Sequence, residues 1–150
     1  MSARDLMTKD IITIEEDCEV NIAIKTFLDN NIGCLPVIDS KGFLRGIITE
    51  TDFIYVDRKL NPTSHYAYGE VYIPVNSKVL KENLDKLQNL QVRDIMTKDV
   101  KTIKEDTSLE KVVNIIINKN IKNIPVVKDD KLVGIVTRKD VLRYYLQAQN

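Results

Sequence analysis

The chain has 150 residues, enough for one sizeable core or two small halves sharing one. At 43% apolar and 29% charged it reads as a soluble globular protein, and its 22 Lys and Arg offset its 22 Asp and Glu, a balance that argues against an electrostatic binder of nucleic acid or membrane surfaces. Arg4 and Asp5 come before any apolar segment could form a signal peptide, and no apolar run approaches the ~20 residues that span a bilayer, so a cytoplasmic location is expected. In that reducing setting Cys18 and Cys34 are expected as free thiols.

The opening segment Arg4-Asp5-Leu6-Met7-Thr8-Lys9-Asp10 returns as Arg93-Asp94-Ile95-Met96-Thr97-Lys98-Asp99. Thr13-Ile14 returns as Thr102-Ile103, Asn31-Ile32 as Asn120-Ile121, Pro36-Val37 as Pro125-Val126, and Gly46-Ile47-Ile48-Thr49-Glu50-Thr51-Asp52 as Gly134-Ile135-Val136-Thr137-Arg138-Lys139-Asp140. The chain is an internal repeat.

Each copy carries the same periods. A short first strand is followed by an apolar stripe at helical spacing, Val20, Ala23, Ile24, Phe27 and Leu28 in one copy and Leu109, Val112, Val113, Ile116 and Ile117 in the other. The second of these helices is expected to open on a Thr107-x-x-Glu110 capping box. Two β-rich runs then form a hairpin, Cys34 to Ile38 with Leu44 to Thr49, and Ile124 to Val127 with Leu132 to Thr137. Pro36 and Pro125 sit near the starts of their strands, where a missing N–H is tolerated. A helix closes each copy, from Glu50 to about Lys59 and from Arg138 to about Ala148.

The expected fold is α+β, two β-α-β-β-α repeats over 1–59 and 92–150 with an ordered insert over 60–91. In the insert, Tyr66, Tyr68 and Tyr72 alternate with small or apolar residues as an extended arm, and Leu80, Leu84 and Leu87 mark an amphipathic helix expected to pack on the second repeat. His65 lacks partners at ligand spacing and reads as a surface turn residue. Tyr144 and Tyr145 are expected as core and dimer contacts.

The chemistry is concentrated where each last strand meets its helix. A helix N-terminus offers free N–H groups and partial positive charge to an anion. Thr49 or Thr137 could add a hydroxyl there, and the carboxylate of Asp52 or Asp140 suits the hydroxyls of a ribose. The plainer reading of Thr-x-x-Asp is a helix cap with no ligand. No paired-carboxylate, Cys/His or Ser/His constellation and no zinc spacing is present, so an enzyme is not expected.

A repeat that opens with Asp-h-Met-Thr-Lys-Asp, where h is apolar, carries h-Pro-Val-h in its middle strand and closes with Gly-h-h-Thr-x-x-Asp resembles the CBS domain, here in tandem as a Bateman module. The resemblance implies a pseudo-twofold pair with two clefts for adenosine-containing ligands: AMP, ADP or ATP, with S-adenosylmethionine or NAD as further candidates and no obligatory cofactor. It also implies a homodimer and a regulated protein encoded elsewhere, so that the chain acts as a nucleotide sensor. The alternative is a structural dimerisation module without a small-molecule ligand.

Carried over from the family, Asp52 and Asp140 hold ribose and Thr49 and Thr137 touch phosphate. Related pairs imply that the base lies against the opposite repeat. One cleft is then Ile135, Thr137, Arg138, Lys139 and Asp140 with Ile11, Ile12, Ile32, Gly33, Cys34 and Pro36. The other is Ile47, Thr49 and Asp52 with Val100, Lys101, Lys122, Asn123 and Pro125. The clefts are unequal in charge: Arg138 and Lys139 could neutralise phosphate, whereas Glu50 repels it, so the Asp140 cleft is expected to be the better site for an anionic nucleotide.

Overall fold

The structure, a computed structural model, describes residues 1–54, 81–82 and 85–150. The expectations for Tyr66, Tyr68, Tyr72, His65, Leu80 and Leu84, and for the helix from Glu50 beyond Ile54, fall outside those residues.

The elements in chain order are α1 (Ala3–Leu6), β1 (Ile14–Glu15), α2 (Val20–Asn30), β2 (Cys34–Ile38), β3 (Leu44–Thr49), α3 (Glu50–Ile54), α4 (Val92–Ile95), β4 (Ile103–Lys104), α5 (Leu109–Asn118), β5 (Asn123–Lys128), β6 (Lys131–Thr137) and α6 (Arg138–Ala148). They form two three-stranded sheets, ordered β1-β2-β3 and β4-β5-β6. In the second sheet β4 runs parallel to β5 from Ile103 opposite Val126, and β6 runs antiparallel to β5. Pro125 lies one residue before that parallel pairing begins, so its missing N–H removes no bond to β4. The β5–β6 turn places Asp129 and Asp130 at φ of 50° and 62°, the left-handed pair that a tight hairpin needs.

The packing units do not follow the repeats. One unit comprises 1–13, 38–45 and 99–150, and the other 14–37 and 46–98. Each therefore takes the lead-in segment of one repeat and the body of the other. In the first unit the Ala3 and Arg4 N–H groups donate to the Thr107 and Glu105 carbonyls at 2.7 and 2.9 Å. Val92 and Arg93 donate to the Cys18 and Glu16 carbonyls in the second, at 2.8 and 2.9 Å. Each lead-in is a helical turn, α1 or α4, closed by Asp5 accepting from the Ser2 N–H or Asp94 from the Gln91 N–H, both at 2.8 Å. The two cores are built accordingly. Ala3 and Leu6 join Ile103, Val112, Ile115, Ile124, Val126 and Val136, while Val92, Ile95 and Met96 join Ile14, Val20, Ala23, Phe27, Leu35, Val37 and Ile48. In the second core Phe27 meets Phe53 edge to face with centroids 5.2 Å apart.

Two expectations need correction. Leu28 and Ile117, the last members of the two helical stripes, are 76% and 69% exposed, because each helix rests on its sheet through a narrower line, Val20, Ala23 and Phe27 in α2 and Val112 and Ile115 in α5. α5 is capped not by Thr107 but by Ser108, whose hydroxyl accepts from the Lys111 N–H at 3.3 Å; the Thr107 hydroxyl is taken by the Lys104 N–H. Tyr144 packs against the first core, and Tyr145 is 65% exposed. Leu87 is buried in the core that Val20 and Phe27 of the first repeat share with Val92, Ile95 and Met96 of the second.

The last strand of each repeat carries a glycine held against the lead-in of the opposite repeat. A Cβ on Gly46 would come 2.7 Å from the Thr97 carbonyl oxygen, whereas on Gly134 it would meet the side chain of Met7. Backbone cannot yield as a thioether can. Gly46→Ala is expected to lower stability by about 2 kcal/mol, more than Gly134→Ala, as read from urea denaturation midpoints.

Candidate functional site

Thr137 ends β6 in an extended conformation and caps α6. Its N–H and its hydroxyl donate to Asp140 Oδ2 at 2.7 and 2.9 Å, and the Asp140 N–H points back at the Thr137 hydroxyl at 3.4 Å. Asp140 is 3% exposed. Its second oxygen, Oδ1, accepts from the Thr8 hydroxyl at 3.0 Å and from Arg143 Nη1 at 2.7 Å. Thr8 reaches it because the lead-in lies along β6, with paired backbone bonds between Thr8 and Ile135 at 2.9 and 3.0 Å.

The second unit repeats the arrangement. The Thr49 N–H donates to Asp52 Oδ2 at 2.8 Å, the Thr49 hydroxyl lies 3.4 Å from that oxygen and 2.9 Å from the Thr51 hydroxyl, and Asp52 is 4% exposed. Ile47 pairs with Thr97 through two backbone bonds of 2.9 Å, as Ile135 does with Thr8. Both carboxylates thus sit in the first turn of a helix, where the aligned peptide dipoles favour negative charge.

The remaining sequence-derived residues fall into the two units. With Asp140 are Ile11, Ile12, Val100, Lys101, Lys122, Asn123 and Pro125; with Asp52 are Ile32, Gly33, Cys34 and Pro36. Asn123 pairs with Thr137 and Pro125 with Ile135 across β5 and β6. Arg138 Nη2 donates to Asn120 Oδ1 at 2.7 Å, and a Cβ on Gly33 would come 3.5 Å from Glu50 Oε1. Within a unit, then, the loop approaching the middle strand comes from the same repeat as the helix start, and the lead-in comes from the opposite one. Arg138, Lys139 and Arg143 share α6 with Asp140, whereas Glu50 flanks Asp52 on α3.

Cys34 marks the apolar side of the Asp52 site. Burial, and after it the charge of Asp52, pushes its thiol up to about 12. Thr8 and Arg143 were not singled out from sequence. The Thr8 and Thr97 duplication and the i, i+3 spacing of Asp140 and Arg143 are the signals that could have found them. A cleft of about 600 Å³ lined by Thr107, Ser108, Lys111 and Asp130 lies elsewhere in the first unit and contains neither Thr137 nor Asp140. No helix among the described residues is long and apolar enough to cross a membrane.

A family model described as CBS domain matches residues 3–59 and 92–147, which is most of the chain. The chain belongs to the CBS domain family. Among similar proteins, MJ1426 of Methanocaldococcus jannaschii is 31% identical over 95% of this chain and 89% of its own length. The CBS domain pair of MJ0100, solved in complex with 5′-methylthioadenosine and S-adenosyl-L-methionine, is 27% identical with a TM-score of 0.69, covering 99% of this chain and 98% of that one. CBSX2, solved in complex with AMP, superposes with a TM-score of 0.76 over 99% of this chain and 98% of its own at 24% identity, which establishes the shared fold. The two family matches make the chain a tandem CBS pair, as the sequence motifs indicate, and its α+β architecture with two three-stranded sheets is that of the solved pairs.

The Cys34 environment gives a direct check on the second site. At about pH 8.5, where an ordinary thiol is half ionised, Cys34 should hold roughly a thousandfold less thiolate than a free cysteine. Its alkylation by iodoacetamide, followed by peptide mass spectrometry, is expected to be slower by that order in the folded protein and normal in urea.

Proposed function

We propose that this CBS pair is a regulatory, non-catalytic module that binds adenosine-containing ligands at its two Thr-x-x-Asp helix starts and passes its ligand state to a separate protein. The observation that carries this reading is the duplicated pair of buried carboxylates, 3% and 4% exposed, each held by the N–H and hydroxyl of its own capping threonine. A carboxylate fixed in this way is a preorganised acceptor for the two hydroxyls of a ribose, and the helix start beside it suits phosphate. The adenosyl ligands of the MJ0100 pair support the same chemical class. The charge difference supports a division of classes: anionic nucleotides such as AMP, ADP or ATP at the Asp140 site, and uncharged or cationic adenosyl compounds at the Asp52 site with Glu50.

A second copy of the chain is the proposed structural partner. Leu142, Tyr145 and Leu146 form a stripe on α6 that is 67%, 65% and 67% exposed, and a pairing of two such helices would cover it. Leu146→Glu is expected to turn a dimer into a monomer by light scattering; a wild-type protein that is monomeric at micromolar concentration removes this part of the proposal.

The ligand reading is tested by thermal shift against AMP, ADP, ATP, NAD, S-adenosylmethionine and 5′-methylthioadenosine. A ligand at about 100 times its dissociation constant adds about 2.7 kcal/mol of stability. The expected result is stabilisation by at least one nucleotide, lost in Asp140→Ala and kept in Asp52→Ala. No shift with any of the six compounds would leave the threonines and aspartates as helix caps only.

A further inference from the structure

We infer that Arg143 is the specificity-determining residue of the Asp140 site, favouring phosphorylated nucleosides over uncharged ones. The inference rests on Asp140 receiving the ribose, as proposed above, and deepens that reading. It comes from counting donors. An ionised carboxylate offers about four lone-pair sites. Asp140 meets four donors: the Thr137 N–H and hydroxyl on Oδ2, and the Thr8 hydroxyl and Arg143 Nη1 on Oδ1. A ribose hydroxyl can therefore be accepted only by taking the place of one of them.

The four are not equally replaceable. Thr137 is fixed at the junction of β6 and α6, and its backbone is paired with Asn123. Thr8 is clamped by its two backbone bonds to Ile135. Arg143 is held by nothing comparable: its side chain is 60% exposed, while that of Asp140 is 2% exposed. It sits one turn further along the same helix, on a long arm that can swing away while its guanidinium stays in water.

The fate of that guanidinium sets the preference. An uncharged nucleoside displaces Arg143 and leaves its charge without the carboxylate. A nucleotide brings phosphate to the same helix start, and the guanidinium can exchange a carboxylate for a phosphate, two anions that its planar fork fits equally well. The ion pair therefore opposes every ribose and is compensated only for phosphorylated ligands. A cationic adenosyl compound would meet the freed guanidinium as a like charge and be disfavoured further.

The test is isothermal titration calorimetry with AMP and adenosine on the wild type, Arg143→Met and Arg143→Lys. Wild type is expected to prefer AMP. In Arg143→Met, adenosine should bind severalfold more tightly, because Oδ1 is relieved of its competitor, while AMP weakens about tenfold, as expected for one charge-assisted hydrogen bond. Arg143→Lys should keep the preference for AMP. Opposite movement of the two affinities is the signature that a merely structural role would not produce. Affinities that fall together, or do not change in Arg143→Met, overturn the inference and leave the ligand reading standing; a wild type that binds neither compound overturns the inference, and the ligand reading falls with it only if none of the six compounds shifts its melting.

Discussion

The structure depends on the exchange of lead-in segments. Left to itself, a hairpin with one helix and a two-residue third strand would expose the ends of its sheet and part of its apolar face. The lead-in supplies what is lacking: Ala3 and Leu6 complete one core, Val92, Ile95 and Met96 complete the other, and the backbones of Thr8 and Thr97 pair with Ile135 and Ile47. Gly46 and Gly134 are part of the same constraint, since the lead-in lies where a side chain would otherwise stand. The site inherits this geometry. Without the backbone pairing of Thr8, its hydroxyl would not reach a carboxylate that lies on the opposite repeat.

Capping and ligand recognition are not rival explanations of the Thr-x-x-Asp element. The bonds that cap the helix also orient the carboxylate and shield it from water. A residue buried to this degree and still ionisable is costly unless its lone pairs are satisfied, and the capping threonine meets half of that demand locally. What differs between the repeats is the surroundings. Asp140 also receives a hydroxyl from the lead-in and a surface guanidinium; Asp52 lies at a helix start that carries Glu50, with the half-buried thiol of Cys34 nearby. Duplication has kept the scaffold and let the electrostatics diverge.

Much of the fold was legible because local patterns and tertiary packing agree. The β-rich runs, the hairpin turns and the two helix stripes follow from periods of two and of 3.6, and the repeat doubled each signal. The site core, Thr49 with Asp52 and Thr137 with Asp140, was legible for the same reason. Periodicity cannot say how wide a stripe its sheet covers, so it does not distinguish exposed Leu28 and Ile117 from the buried members of their stripes. Nor could it choose between adjacent hydroxyls, Thr107 and Ser108, for a cap that either could form. The helical turns α1 and α4 are too short to show a period. The exchange itself leaves no trace in local pattern, because the lead-in of each repeat carries the same apolar residues and would fit either body; only the connectivity of the folded chain decides which it joins.

That connectivity has a consequence for how the protein is made. The backbone partners of Ala3, Arg4 and Thr8 lie at Thr107, Glu105 and Ile135, so a growing chain can complete the unit spanning 14–37 and 46–98 while residues 1–13 still have nowhere to bind. Closing that loop of more than about a hundred residues must wait for translation to reach β6. Until then Ala3 and Leu6 have no core to join, an interval in which a nascent chain is open to chaperones and to the free lead-ins of its neighbours.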